Sequence, residues 1–549
     1  MSLCIYAYSR QKKRDYQMKR NILENKWYLY LTEFFSGMAV MAVELGASRL
    51  LAPYFSSSQI VWTIIIGTIM IAMAIGNVMG GKWSDKDPDP AKLFRRILIS
   101  AVWIALIPFL GRYIIIGIMG LIVVTINHNM LIWAAFAACM IIFVFPLFLL
   151  GTVTPSLIRF TMSDLEESGR VAGRLGACNT IGSIIGTFLP TFVTIPAVGT
   201  SVTFLIFSGI LLVIGALYFM INGGKKTAVL VCAVIYILAS VFGWNAKFAF
   251  WIDDLTYEGE SVYNYLQVSE NKKEVVLSTN VMIGVQSVYM KDDTLTGMYY
   301  DYALAAPVMA AREDPKVLIL GMGTGTFALQ CRRYFPDADV IGVEIDEKIT
   351  KLARDYFHLT EDIPVVTYDG RAYIQSTDEK YDIIMVDAYQ DITIPFQMSS
   401  VEFFTLVKEH LNYGGVMVVN MNMHGQEGDD DTTKYLTDTI ASVFPNVAVV
   451  DVPYATNREL FAMADDDPSV ALTRGLEGLD AADLSSMMSR VAKNLKAVKG
   501  GNNIWTDDKA PVELVGMKTI DVLIQDEAGY YKSIYEEKGI KGLIEDVIG

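Results

Sequence analysis

The stretch VLILGMGTGTFALQ (317–330) runs four apolar residues into Gly321, Gly323 and Gly325. Three further apolar runs follow, and each ends on acid. VIGVEID (340–346) ends on Glu344 and Asp346, YDG (368–370) carries Asp369 and Gly370, and IIMVDAYQD (383–391) reaches Asp387. Glycine lets a backbone come close to a ligand. Glu344 lies 23 residues after Gly321, near the spacing at which an acid grips ribose hydroxyls. Asp369 can accept from an adenine amino group. No Arg or Lys adjoins the turn to meet a pyrophosphate, and the spacing is GxGxG rather than GxGxxG. An adenosyl-sulfonium ligand therefore fits better than a dinucleotide. The plainer reading is that the acids are helix caps.

These residues need strands and helices to place them. Strand patterns fit at 316–320, 339–344, 364–368, 382–386 and 414–420, and helix patterns at 325–335, 347–357, 399–411 and 432–443. Such alternation predicts a doubly wound α/β sheet, which binds ligands beyond the carboxyl ends of its strands. Further strands near 446–452 and 459–463 should close it. Residues 259–300 alternate instead in the manner of a small antiparallel sheet.

The first half differs. The chain has 52% hydrophobic residues and a mean hydropathy of +0.35, and the excess crowds into residues 28–245. Spans fit near 28–54, 59–81, 95–126, 130–151, 175–197, 202–222 and 227–244. The third stretch is too long for one span, and Gly111-Arg112 is the expected break. GNVMG (76–80) and GSIIG (182–186) should let helices pack closely. Glu33 and Glu44 lie on one side of the first span, as a cation site or paired with polar neighbours. The basic start and the charged loops at 82–96 and 152–174 point to a cytoplasmic N-terminus. Seven spans then place the second half outside, whereas a donor made in the cytoplasm requires an even number.

Residues 1–250 carry 20 Lys+Arg against 10 Asp+Glu, and residues 251–549 carry 25 against 50. An acidic domain repels nucleic acid and attracts cations. The five cysteines and four histidines show no metal-ligand spacing, so no metal is expected.

Taken together, the chain resembles the spermidine synthase (polyamine aminopropyltransferase) family, in the branch that fuses several membrane spans to a synthase-like domain. The resemblance rests on ELGASRLLAPYFSSSQIVWT, GGKWSDK, LLGTVTPSLIRF and GRLGACNTIGSIIGTFLPTFVTIPAVGT in the first half. In the second it rests on VLILGMGTGT, VIGVEID, YDGRAYI, YDIIMVDAY, IPFQMSSVEFF, LNYGGVMVVN and TDDKAPVEL. It implies a basic tail (1–27), a transmembrane domain of about seven spans (28–245), a small β-domain (255–305) and a Rossmann-like, methyltransferase-type domain (306–549).

It further implies aminopropyl transfer from decarboxylated S-adenosylmethionine to an amine such as putrescine, with no permanently bound cofactor. Asp387 stands at the family's catalytic acid. Gly321, Gly323, Gly325, Glu344, Asp346, Asp369, Gly370 and Gln286 stand on the nucleoside side, and Tyr263, Tyr300, Asp301, Tyr389 and Gln390 on the amine side. The first turn reads GMGTG where typical members read GGGDG, so Thr324 replaces an acid. After the fourth strand, Gln390 replaces a second acid and Asp391 follows it, a candidate to share catalysis. The expected partners are a small cationic amine and the lipid bilayer, with a homodimer allowed. Two other readings remain: a methyltransferase, and a polyamine or nucleoside transporter whose degenerate domain senses ligand.

Overall fold

The computed structural model describes residues 23, 25–55, 58–125, 129–162, 168–223, 226–252, 254–281, 285–292, 295–388, 394–422, 432–513, 515–516, 529, 532–534 and 537–539. The chain divides into two units: residues 1–125 with 131–248, and residues 126–130 with 249–549.

The first unit is helical. Among the described residues, six helices are long and apolar enough to cross a membrane. One of them covers Ser168–Asn222. It includes a π-helical turn at Pro190–Thr194 and a kink at Gly199, where φ is 80° and ψ 168°. The expected break at Gly111-Arg112 does not occur, because helix Pro90–Thr125 runs through it. The Arg112 guanidinium donates to the Lys247 carbonyl and stacks on the Tyr113 ring, so its charge is met without ending the helix. The fourth stretch, 130–151, is a shorter apolar helix, Met130–Ile142, followed by Val144–Gly151, which runs on through Val153–Thr161 as one of the six.

Both GxxxG stretches lie at backbone contacts. A Cβ on Gly182 would stand 2.0 Å from the Phe34 carbonyl oxygen, and one on Gly186 would stand 2.2 Å from that of Met38. Gly76 lies as tightly against Phe148. Glu33 is fully buried, and its Oε1 accepts from Thr154 Oγ1 at 2.5 Å and Asn179 Nδ2 at 2.9 Å.

The second unit holds two sheets. Strands β1 (Leu255–Glu260), β2 (Tyr265–Glu270), β3 (Glu274–Ser278) and β4 (Ser287–Met290) form an antiparallel meander. The larger sheet contains β5 (Lys316–Leu320), β6 (Asp339–Glu344), β7 (Val365–Thr367), β8 (Tyr381–Val386), β9 (Leu411–Met421), β10 (Asn446–Asp451), β11 (Arg458–Met463) and β12 (Lys496–Ala497). Its order is β12-β10-β11-β9-β8-β5-β6-β7. Strands β5 to β9 pair in parallel, while β11 is antiparallel to both β9 and β10.

Both faces of the central strands are covered, which explains their unbroken apolar runs. Val317, Ile319, Ile383 and Met385 enter one core, and Leu318, Leu320, Ile384 and Val386 the other. The strand order reverses between β5 and β8. A crevice opens at such a switch point.

Candidate active site

Beyond the carboxyl ends of β5, β6 and β8 lies a cavity of about 370 Å³, large enough for a small-molecule ligand. Three local devices shape it. The first is the glycine turn. Gly321 has φ of 85°, and a Cβ there would meet Ala388 Cα at 2.5 Å, so this close crossing of β5 and β8 excludes any side chain. Asp387 N–H donates to the Leu320 carbonyl and locks the two strand ends together.

The second device is β4, which is clamped onto that turn. Thr324 N–H donates to Ser287 Oγ at 3.1 Å, and Thr326 Oγ1 donates to the Val288 carbonyl at 2.8 Å. The small sheet thereby becomes a wall and brings Gln286 and Tyr263 to the cavity. The third is helix Tyr299–Ala303, where the Tyr300 hydroxyl donates to the Gln286 carbonyl at 2.6 Å.

Glu344 is 7% exposed and ends β6 inside the cavity. Its Oε2 accepts from Gly323 N–H at 2.9 Å and its Oε1 from Asp346 N–H at 3.0 Å. Both oxygens are thus oriented and retain lone pairs for a ligand diol. Burial pushes this carboxyl up to about 7, although its backbone hydrogen bonds pull it down. Asp369 and Gly370 also line the cavity, and Asp369 Oδ1 caps helix Gly370–Ser376 through Ala372 N–H.

Asp387 is held from two directions. The Tyr299 hydroxyl donates to its Oδ2 at 2.7 Å, and Asn420 Nδ2 donates to its Oδ1 at 2.8 Å. Burial is the largest influence on this carboxyl and pushes it up to about 7, against those two hydrogen bonds. That range suits a general base working near neutral pH. Burial also raises the Tyr299 phenol, so it remains a donor.

Three sequence candidates fall elsewhere. Asp301 is buried, and its carboxylate accepts from Thr296 N–H, Thr296 Oγ1 and Gly297 N–H, closing a turn rather than facing a ligand. Asp346 caps helix Glu347–Tyr356 through Lys348 N–H. It also accepts from Ser261 Oγ and Asn264 Nδ2, which ties the small sheet to β6. Gly325 sits behind the turn at the start of helix Thr326–Tyr334. Tyr389, Gln390 and Asp391 lie outside the described residues. Tyr299 and Asn420 were not singled out from sequence. Tyr299 adjoins Tyr300, and Asn420 is a polar residue closing an apolar strand; these were the available signals.

Comparisons with known proteins bear on the family of the chain. A family model described as spermine/spermidine synthase domain matches residues 298–473. A Bifidobacterium longum protein named probable polyamine aminopropyl transferase is 51% identical over 348 residues, which is 60% of this chain and 78% of that protein. The chain belongs to the polyamine aminopropyltransferase family. A polyamine aminopropyltransferase of Vibrio vulnificus is 25% identical over 260 residues, covering 45% of this chain and 85% of that one. Among solved structures, a probable spermidine synthase from Corynebacterium glutamicum is similar at 19% identity and a TM-score of 0.34, covering 45% and 96% of the two chains. In this chain the apolar helices come first, and an α/β unit with a mixed sheet follows.

Proposed function

We propose that the α/β unit transfers an aminopropyl group from decarboxylated S-adenosylmethionine to a polyamine acceptor and releases methylthioadenosine. The observation that carries this reading is the pairing, in one cavity, of Glu344 with Asp387. Glu344 is oriented for a ribose and Asp387 for a proton. Glu344 holds the ribose hydroxyls and Asp369 receives the adenine amino group, while Gly321 and Gly323 let the nucleoside lie against backbone.

The acceptor arrives as an ammonium, because free alkylamines have a pKa near ~10.4. Asp387 takes the proton. The nitrogen lone pair then attacks the propyl carbon bonded to the sulfonium. The C–S bond breaks, and its electron pair leaves sulfur neutral in methylthioadenosine. Tyr299 and Asn420 fix Asp387 for this step, and Tyr300 and Gln286 line the approach.

The six apolar helices support a multi-pass membrane location, and the basic start of the chain supports a cytoplasmic N-terminus. The test is direct. The purified full-length protein is incubated with decarboxylated S-adenosylmethionine and a panel of amines, and methylthioadenosine is measured. Release with a diamine is expected; silence with every amine would overturn the reading.

A further inference from the structure

The hydrogen bonds around Asp387 continue past the residues that touch it. Asn420 donates from its Nδ2 to Asp387 Oδ1, and its own Oδ1 accepts from Asn457 Nδ2 at 2.9 Å. The three residues come from separate strands. Asp387 follows β8, Asn420 stands near the end of β9, and Asn457 leads into β11. Val386 of β8 pairs with Val419 of β9, so Asp387 and Asn420 come next in the same register. Glu459 of β11 stands directly across from Asn420. Asn457 lies two residues earlier, on the same face, and such diagonal neighbours are within reach of one another. The place of Asn457 is itself fixed. Val452 N–H donates to its carbonyl and closes the turn between β10 and β11, where Arg458 is ion-paired with Asp451. The adjacent Thr456 Oγ1 donates to Asn422 Oδ1 at 3.1 Å.

An asparagine amide is nearly symmetric in shape but not in chemistry, since one end donates and the other accepts. Turned over, Asn420 would aim its oxygen at Asp387. An ionised carboxylate can only accept, so that arrangement suits the protonated acid, which has a proton to donate. Asn457 decides between the two orientations, because its N–H can be met by the Asn420 oxygen and not by the Asn420 nitrogen. The oxygen is thereby held away from Asp387 and the N–H₂ toward it, and a hydrogen bond to the charged form favours that form. The other groups around Asp387 make this matter. Helix Tyr299–Ala303 brings the Tyr299 and Tyr300 phenols, and β11 brings the buried Glu459, whose charge would repel that of Asp387. Glu344 and Asp369 share its cavity, and among the described residues no Lys or Arg lines it. Neutral donors, not cations, therefore keep the ionised form within reach.

We propose that Asn457 is a positioning residue for the transfer step: by holding the Asn420 oxygen it makes Asn420 present N–H to Asp387, and so keeps Asp387 able to take the acceptor's proton. This rests on the aminopropyl-transfer reading and adds to it a residue outside the cavity lining that acts through Asn420. Without Asn457, Asn420 is released to turn over, and Asp387 then holds its proton to higher pH.

The experiment follows methylthioadenosine release from decarboxylated S-adenosylmethionine and 1,4-diaminobutane between about pH 5 and 9. It uses the full-length protein and two variants. Asn457→Leu fills similar space and donates nothing. Asn457→Asp keeps the shape, but its carboxylate only accepts and draws the Asn420 N–H₂ toward itself. The acid limb of the kcat/KM profile should move up by about one pH unit in Asn457→Leu and further in Asn457→Asp, with the high-pH plateau kept within a few-fold. At about pH 6 the loss is then about tenfold or more. Affinity for methylthioadenosine should stay within a few-fold, which controls for folding. On an Asn420→Ala background neither substitution should move the limb again. A profile lowered at every pH with its limb in place would mean a merely structural role and overturn the proposal, as would an unmoved profile. A shift that persists without Asn420 would overturn it too, because Asn457→Asp would then act by its charge alone. Each of these leaves aminopropyl transfer intact. Silence of the native protein with every amine would overturn both.

Discussion

The two units bury carboxyl groups and exploit glycine in opposite ways. In the helical unit, Glu33 is enclosed by Thr154 and Asn179 from neighbouring helices. Gly182 and Gly186 bring backbones into contact, which leaves no room for anything between them. In the α/β unit, Glu344 and Asp387 are just as thoroughly enclosed by protein donors, yet they border a cavity. Gly321 there allows two strand ends to cross at the edge of that cavity. The same residue types thus close space in one unit and keep it open in the other. The difference lies in whether the carboxyl borders a cavity: Glu344 and Asp387 line one, whereas Oε2 of Glu33 is buried without a hydrogen-bond partner.

The largest expected break in this comparison is Asp387→Asn. The amide nearly matches the carboxylate in shape but cannot take the proton. Methylthioadenosine release should fall by about 10²–10⁴-fold, the usual contribution of a general base. Donor affinity, followed by calorimetry with methylthioadenosine, should stay within a few-fold. If donor affinity fell as far as turnover, Asp387 would be a binding group instead.

Next in size is Glu344→Gln, which keeps the side chain's length but removes the charge from the ribose hydrogen bonds. Affinity for methylthioadenosine should weaken by about 1–3 kcal/mol, with a smaller change in kcat. Native affinity in this variant would place the nucleoside elsewhere.

In the helical unit, Gly182→Val should cost about 1–3 kcal/mol through overpacking against Phe34. The readout is thermal unfolding in detergent. Because the α/β site has its own core, methylthioadenosine affinity should be unaffected. A loss of affinity would show that the two units are coupled.

The last effect concerns pH. The Asp387 carboxyl is raised from 3.8 to about 7 in the folded state, so the folded protein holds a proton that the unfolded chain releases earlier. Its stabilising contribution is complete below about 4 and is lost as pH rises through about 7. The limiting slope is about 1.4 kcal/mol per pH unit. Unfolding midpoints for the ligand-free native protein and for Asp387→Asn should converge from pH 4 to 7. Parallel curves would mean that Asp387 titrates normally. In the native enzyme, kcat/KM should decline below about pH 7 as Asp387 takes up its proton.

Much of this molecule was legible before folding was considered. The apolar runs at 317–320, 340–343 and 383–386 read as strands of a doubly wound sheet from their alternation with helix patterns, and the fold covers them on both faces. Their ends had to form the site, since a doubly wound sheet opens there. GSIIG and GNVMG marked close helix contacts for an equally local reason: a residue without a side chain is the cheapest way to let backbones touch.

Tertiary structure decided which acids face the cavity. Asp301 and Asp346 share composition and neighbourhood with Glu344 and Asp387, yet nearby backbone and side-chain donors claim both. The continuity of helix Pro90–Thr125 past Arg112 depended on the Lys247 carbonyl, 135 residues away. Asn420 gave a faint signal as a polar residue closing an apolar strand, but its role required knowing that it meets Asp387 from the neighbouring strand. A sequence sets which groups a chain carries and the period of their burial. Which donors satisfy each acid, and which acid is left for a ligand, is set by contacts between residues far apart along the chain.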